Sequence, residues 1–377
     1  MKQQQYDYVI IGAGIAGCCV AYQLAKHNDN ILIVDKLSDL ASGASGAAGA
    51  FLSPLLGKPN AFKDLVTNSL KYSTEFYQKN FPNCINTCGT TRIPQNDEDT
   101  EKFQSYIPYM DFDYTNDSEI KDGFFFKIGS VVDSYSLCKS MIECSSKEVQ
   151  TQFDCEITDL KYEDDSWILN ASSKDTIKTQ NIILTTGSEL SLFDEFYLKI
   201  RAVWGCRIDI STQSKFTQNY HKACSISKSK KIDDTYSLVS IGATHHREKK
   251  GVENLELNVQ ELLEKANDIK KLEGTNVLKH YVGARACSVD YFPMVGDIIN
   301  SKETLEEFPY MVNGTHVETN RFTRYKNAYV LTGVGGRGFV LSPYLAKQLV
   351  EKIVNKKELD DNIRVDRLFK REVKRIQ

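Results

Sequence analysis

The chain has 377 residues, 41% of them hydrophobic and 26% charged, with a formal net charge of −3. That length exceeds the size at which one hydrophobic core stops growing, so two or three domains are expected. The charge excludes polyanion binding by bulk attraction and leaves only local basic patches for such a partner. No run reaches 18 apolar residues, so no membrane span is expected, and the ten cysteines lack paired CxxC units and read as free thiols of a cytoplasmic protein without a metal centre.

"YDYVII" (6–11) is a short, β-branched apolar run and reads as a buried parallel strand. Gly12, Gly14 and Gly17 follow, then an apolar stretch at helical spacing that carries Cys18 and Cys19. A second buried strand, "NILIV", ends at Asp35, 18 residues after Gly17. Strand, glycine turn, helix, strand and acid in this register form a dinucleotide-binding unit. The first glycine turns the chain, the second lets backbone approach a pyrophosphate, and the third packs helix on strand. Phosphates sit on the helix N-terminus, and the acid accepts hydrogen bonds from the ribose. The contacts expected here are Gly12, Ala13, Gly14, Ile15, Ala16, Gly17, Asp35 and Lys36. This unit alone leaves NAD and FAD open.

Ten of the eleven residues from Ala41 to Phe51 are Gly, Ala or Ser. Lying between Asp35 and the next helix, they read as bare backbone laid along the cofactor, with Ala44, Ser45 and Gly46 as contacts and Ser45 as a phosphate ligand. Residues 63–80 are helical in period, and 81–125 are turn-rich and aromatic. A strand and hairpin follow through Ile157, and "NIILTTG" is a buried strand running into Thr186 and Gly187. From about residue 200 strands dominate. Residues 215–231 hold five lysines and no acid. Near the C-terminus "AYVLTGVGGRGFVLSPYLAKQLVEKIV" repeats the strand, glycine turn and helix pattern. Gly333, Gly335, Gly336, Arg337, Gly338 and Phe339 are the expected cofactor contacts there. A second helix N-terminus suits the negative charge of a reduced flavin, which tips the cofactor to FAD.

Four stretches, "GASGAAGAFLSPLL", "SIGATHHR", "GARACSVDYFPMVGD" and "GVGGRGFVLSP", resemble the glycine oxidase and D-amino-acid oxidase (DAO) type of flavoprotein. Within it they resemble most the FAD-dependent oxidoreductase domain of MnmC, a tRNA-modifying enzyme. The resemblance implies an α/β (α+β) fold: a Rossmann-like FAD-binding domain of glutathione-reductase type, discontinuous over 1–80, 130–200 and 325–377, and a β-rich substrate domain over 81–129 and 201–324. It also implies removal of the carboxymethyl group, as glyoxylate, from 5-carboxymethylaminomethyl-(2-thio)uridine at the tRNA wobble position. Where that family commonly carries Asn-Arg-Gln-Gly, this chain has Ala47, Ala48, Gly49 and Ala50. The chain starts at the flavin motif, so it is expected to be a stand-alone oxidoreductase half, with a separate methyltransferase acting downstream.

A carboxylate is best held by a bidentate arginine. Arg285 is the first catalytic candidate and Arg337 the second. The plainer readings are an ion pair of Arg285 with an acid such as Asp290, and pure cofactor positioning by Arg337. His245, His246 and Arg247 end a strand and reach substrate or merely surface. Trp204 stacks on a base or packs in the core. The lysines of 215–231 and the basic tail 364–375 are the tRNA phosphate candidates, against a solvated surface. Two other functions compete: oxidation of a small amine such as glycine, sarcosine or a D-amino acid, and a flavin module without substrate.

Overall fold

The computed structural model describes residues 5–27 and 30–376. The chain opens with β1 (Gln5–Ile11), α1 (Ile15–Leu24), β2 (Ile31–Val34), the short α2 (Ala44–Ala47) and α3 (Ala61–Asn80). It leaves for β3 (Thr90–Arg92), returns with β4 (Val149–Gln152) and β5 (Thr176–Leu184), and leaves again for β6 (Ile200–Thr212), β7 (Asn219–His221), β8 (Ser237–Gly242) and β9 (Asn276–Ser288). It closes through β10 (Met294–Ile299), β11 (Arg324–Thr332) and α4 (Gly338–Asn355). Among the described residues no helix is long and apolar enough to cross a membrane, and all ten cysteines are free thiols.

The first sheet has a parallel core in the order β4, β2, β1, β5, β11. Its central strands are buried on both faces, as their unbroken apolar sequences require: all four residues of β2 are buried. Nine of the ten residues of α1 are buried, including Cys18 and Cys19, because α1 packs against α4 and the helix Ser134–Glu143, and α3 packs on α4 in turn. Two hydrogen bonds lock that packing. Tyr77 Oη donates to the Phe339 carbonyl (2.9 Å) and Ser73 Oγ to the Val340 carbonyl (2.7 Å), tying α3 to the first turn of α4. The glycine turns at the two ends of the chain therefore belong to one layer.

The second sheet has nine strands. Its long antiparallel pair β6 and β9 is flanked by β8, and the excursion through residues 81–129 joins it where β3 runs parallel to β7. One expected boundary moves. β10 lies inside the span expected for the substrate region, yet it pairs antiparallel with β11, Met294 opposite Thr332, and so belongs to the first sheet.

Candidate cofactor and substrate site

The first glycine turn is built for close backbone approach. A Cβ on Gly17 would stand 2.0 Å from the Gly12 carbonyl oxygen, and one on Gly12, whose φ is +112°, 2.5 Å from the Thr185 carbonyl oxygen. Thr185 seals the turn by donating from Oγ1 to the Ile11 and Gly12 carbonyls at 3.0 and 2.8 Å. Asp35 accepts from Ala13 N–H through Oδ2 (2.6 Å) and from Leu37 N–H through Oδ1 (2.8 Å), so its carboxylate is fixed at the end of β2 with lone pairs to spare. Lys36 is turned outward to Glu189 at 2.5 Å, and that hydrogen bond raises its pKa. Thr186 Oγ1 donates to the Glu189 carbonyl, and the Gly187 carbonyl accepts from Thr332 Oγ1 at 2.7 Å. The side chain of Ile157 is buried in the core at the foot of the hairpin.

The loop after β2 reaches back onto this turn. Ser45 Oγ accepts from Ile15 N–H (3.0 Å), satisfying one free donor at the start of α1. Within the run the glycines provide clearance rather than unusual dihedrals. A Cβ on Gly46 would meet the Ala41 carbonyl oxygen at 2.2 Å, while Ala41 and Ala50 take the left-handed backbone with φ of 53° and 50°. The second sheet presses on this loop from the other side: a Cβ on Gly283 would stand 2.8 Å from Ala47 Cβ and 3.0 Å from Ala44 Cα. A glycine at 283 is what lets β9 lie this close to Ala47 and Ala44.

The second glycine turn lies beside the first, with Gly338 at van der Waals distance from Ile15 Cγ2 (3.3 Å from a built Cβ). Gly333 and Gly335 adopt φ of 77° and 55°, as the sharp passage from β11 to α4 demands. Neither α1 nor α4 has a hydrogen bond from its N-cap side chain, so two helix N-termini with free donors converge on one surface. The bare turns, the anchored Asp35 and these donors fit a dinucleotide, with FAD the group that two convergent helix ends suit.

Arg285 crosses from the second sheet to this surface. Its Nη1 donates to the Thr244 carbonyl (3.2 Å), and its stem passes the α-carbon of Gly336, where a Cβ would touch Cδ at 3.5 Å. The competing ion pair with Asp290 is not formed: Asp290 is gripped bidentately by Arg367 at 2.9 and 3.0 Å. Arg285 makes no ion pair with any described residue. Burial lowers its pKa, though it stays charged. The side chain of Arg337, at the N-cap of α4, is also without an ion pair or hydrogen bond among the described residues, and burial pushes its pKa down to about 10.

Sequence reasoning passed over two further residues on which the Arg337 charge acts. Arg92 and His221 are register partners across the β3–β7 pairing. Arg92 donates from Nη1 to the Pro54 carbonyl at 2.6 Å, and its Nε is buried without a partner. Burial and the Arg337 charge push its pKa down to about 9. His221 shares a 2.7 Å hydrogen bond between Nδ1 and Ser225 Oγ, and burial with the Arg92 and Arg337 charges holds its pKa well below the usual range, so the ring is neutral.

His245 lies at the mouth, in an open cleft of about 450 Å³ also lined by His246, Arg247, Glu248, Lys250 and Gly251. Partial burial and the Arg285 charge lower its pKa. His246 Nε2 is bound to Asn258 Oδ1 at 2.9 Å and is structural. Trp204 is half-buried beside it, with Lys249 Nζ 5.6 Å from the ring centroid. The tail's arginines pair within the protein. Arg364 pairs with Glu358 and Asp361, and the buried Glu372 takes Lys199, Arg371 and Arg375 at 2.8, 3.5 and 3.0 Å. In the lysine-rich segment Lys222 and Lys231 pair with Asp268 and Asp234, whereas the exposed Lys215 and Lys230 pair with no described residue. No group of three metal-ligating side chains exists among the described residues.

Residues 7–352 match the family described as DAO, FAD dependent oxidoreductase. The bifunctional protein MnmC of tRNA 5-methylaminomethyl-2-thiouridine biosynthesis from Legionella pneumophila is 24% identical over 92% of this chain and 54% of its own length. Its Campylobacter fetus counterpart is 23% identical over 93% and 56%. The chain thus spans about half the length of the curated relatives it matches. Among solved structures, glycine oxidase from Bacillus cereus shares the fold at a TM-score of 0.72 with 18% identity, covering 94% of this chain and 96% of that one. Iminodiacetate oxidase from Chelativorans does so at 0.72 and 16%, covering 94% and 98%. The chain belongs to the DAO family of FAD-dependent oxidoreductases.

Proposed function

We propose that this protein oxidises an N-substituted glycine, and that its substrate is the carboxymethylaminomethyl group of the wobble uridine of tRNA, which it converts to aminomethyl with release of glyoxylate. The observation that carries this is the unpaired guanidinium of Arg285 against the second glycine turn, a carboxylate site where a flavin fits. FAD, once bound, supplies the two-electron acceptor. Arg285 binds the substrate carboxylate and fixes the glycyl C–H in one orientation. His221 is neutral and offers no strong acid to protonate the amine, whose lone pair must assist departure of the hydride. A hydride leaves from the C–H and a proton from the N–H of the CH–NH unit, two electrons and two protons in all, giving an imine; one water then adds and the C–N bond breaks, giving the primary amine and glyoxylate.

The RNA part is supported by the MnmC relatives and by the cleft at His245, whose lining carries Arg247 and Lys250, with Lys249 beside the Trp204 ring. Phosphate contacts fall to those residues and to Lys215 and Lys230. A small-amine oxidase is the second reading, favoured by the internal pairing of the tail arginines. Anaerobic mixing of the FAD-loaded protein with glycine, sarcosine, or tRNA bearing the carboxymethylaminomethyl group separates the two. Bleaching of the flavin by the tRNA is expected, and bleaching by the small amines alone overturns the RNA assignment.

A further inference from the structure

We propose that Asn258 is a positioning residue for the Arg285 clamp: its buried amide holds Thr244, and the Thr244 carbonyl sets the plane of the guanidinium. The proposal rests on the N-substituted glycine reading above.

Asn258 lies on the helix Leu255–Asn267, which packs against β6 and β8. It is 2% exposed and shares the inner face of that helix with Leu262 and Ala266, both fully buried. An apolar side chain here would fill the core without the desolvation cost of an amide. The amide is nevertheless present, and all four of its hydrogen-bonding functions are used. Nδ2 donates to the Gly251 and Asn254 carbonyls at 2.9 and 2.8 Å. Both of those partners can only accept, which fixes the orientation of the amide and turns Oδ1 the other way. Oδ1 accepts from Thr244 Oγ1 and from His246 Nε2, each at 2.9 Å.

Thr244 is fully buried. Its Oγ1 also accepts from Cys206 N–H (2.9 Å), and its own N–H donates to the Cys206 carbonyl (3.1 Å). Its carbonyl accepts from Arg285 Nη1 at 3.2 Å. That bond engages one end of the guanidinium and leaves the Nε–Nη2 edge to meet a carboxylate with two parallel bonds. Asn258, Thr244 and Arg285 thus form one unbroken hydrogen-bonded chain. Such a two-point contact depends on the angle of the fork, so a tilt of Thr244 weakens it. The other cleft-side partners of the amide, His246 and Gly251, line the open cleft, so one side chain fixes both the cleft wall and the residue behind the clamp.

Spectral titration of the FAD-loaded protein with methoxyacetate, an unreactive carboxylate, tests this without turnover. Asn258→Leu is expected to weaken binding about fivefold, the size of one lost net hydrogen bond, at unchanged FAD content. Thr244→Val, which replaces the hydroxyl by a methyl, should match it, and Thr244→Ser, which keeps the hydroxyl, should restore most of the affinity. Combining Asn258→Leu with Thr244→Val should be no worse than either alone, since both break one link. Leu262→Ala loosens the same helix through lost apolar packing; it should lower Tm and leave the Kd unchanged. A Kd unchanged in Asn258→Leu or in Thr244→Val, or weakened as much in Leu262→Ala, overturns the positioning role. If Asn258→Leu does not fold, the two Thr244 variants decide. Loss of binding in Arg285→Ala with wild-type binding in the Asn258 and Thr244 variants removes this inference alone. Wild-type binding in Arg285→Ala removes the clamp and this inference with it.

Discussion

The guanidinium of Arg285 lies directly over the α-carbon of Gly205: a Cβ built there would stand 2.6 Å from Nη1 and 2.5 Å from the Thr244 carbonyl oxygen. Arg285 can aim at the cofactor surface only because β6 is bare at this point. Gly205→Ala therefore displaces the guanidinium while leaving both glycine turns intact. We expect a rise in KM for the amine of about tenfold or more, equivalent to one charge-assisted contact, with normal FAD content. Steady-state kinetics with a flavin absorbance check would show it; an unchanged KM contradicts the clamp.

The first glycine turn makes a separate prediction about the cofactor. Ser45→Ala removes the acceptor for Ile15 N–H and should weaken FAD binding by about 1 kcal/mol, roughly fivefold, as the loss of a helix cap does. Gly17→Ala forces a methyl against the Gly12 carbonyl and should yield protein without FAD. Fluorescence titration of the apoprotein measures both, and wild-type affinity in Gly17→Ala contradicts the geometry.

His221 predicts an acid limb of stability. Its pKa is lowered in the folded state by burial and by Arg92, Arg337 and His245, so below about pH 6.5 the unfolded chain binds a proton that the folded one refuses. The stability is fully present above that pH and is lost as pH falls toward the folded value, by at most about 1.4 kcal/mol per pH unit. Denaturant melts from pH 7 to 5 should show a shallower decline for His221→Asn, and parallel curves would rule the assignment out.

Charge placement separates surface from scaffold. Lys215→Glu with Lys230→Glu, or Arg247→Glu with Lys249→Glu, should weaken tRNA binding and lower its salt slope by about one per lost phosphate contact. Arg371→Ala with Arg375→Ala should instead lower Tm, because both serve the buried Glu372. Filter binding across a salt series, beside thermal melts, distinguishes them; the reverse pattern would mean that the tail meets the RNA.

The nucleotide half was legible because its signals are local. Asp35 and Ser45 are marked by register with three glycines, and each lands on the backbone of the first turn. Arg92 and His221 carry no such mark. Each ends a strand of three residues, and only parallel pairing between segments about 130 positions apart makes them neighbours. Ala47 reads as a gap in the family pattern; the close approach of Gly283 on β9 to it is a contact that no periodicity announces. The tail showed its charge in sequence but not its partners, since Asp290 lies 77 positions from Arg367.

The most direct measurement is mass spectrometry of the wobble nucleoside, with trapping of the released acid, after tRNA carrying 5-carboxymethylaminomethyl-uridine is incubated with the FAD-loaded protein. Conversion to 5-aminomethyl-uridine with one glyoxylate per nucleoside is predicted, and Arg285→Ala should slow it by about a hundredfold, the size of a lost charge-assisted bidentate contact. An unmodified nucleoside from a protein that reduces its flavin with free amines would contradict the account.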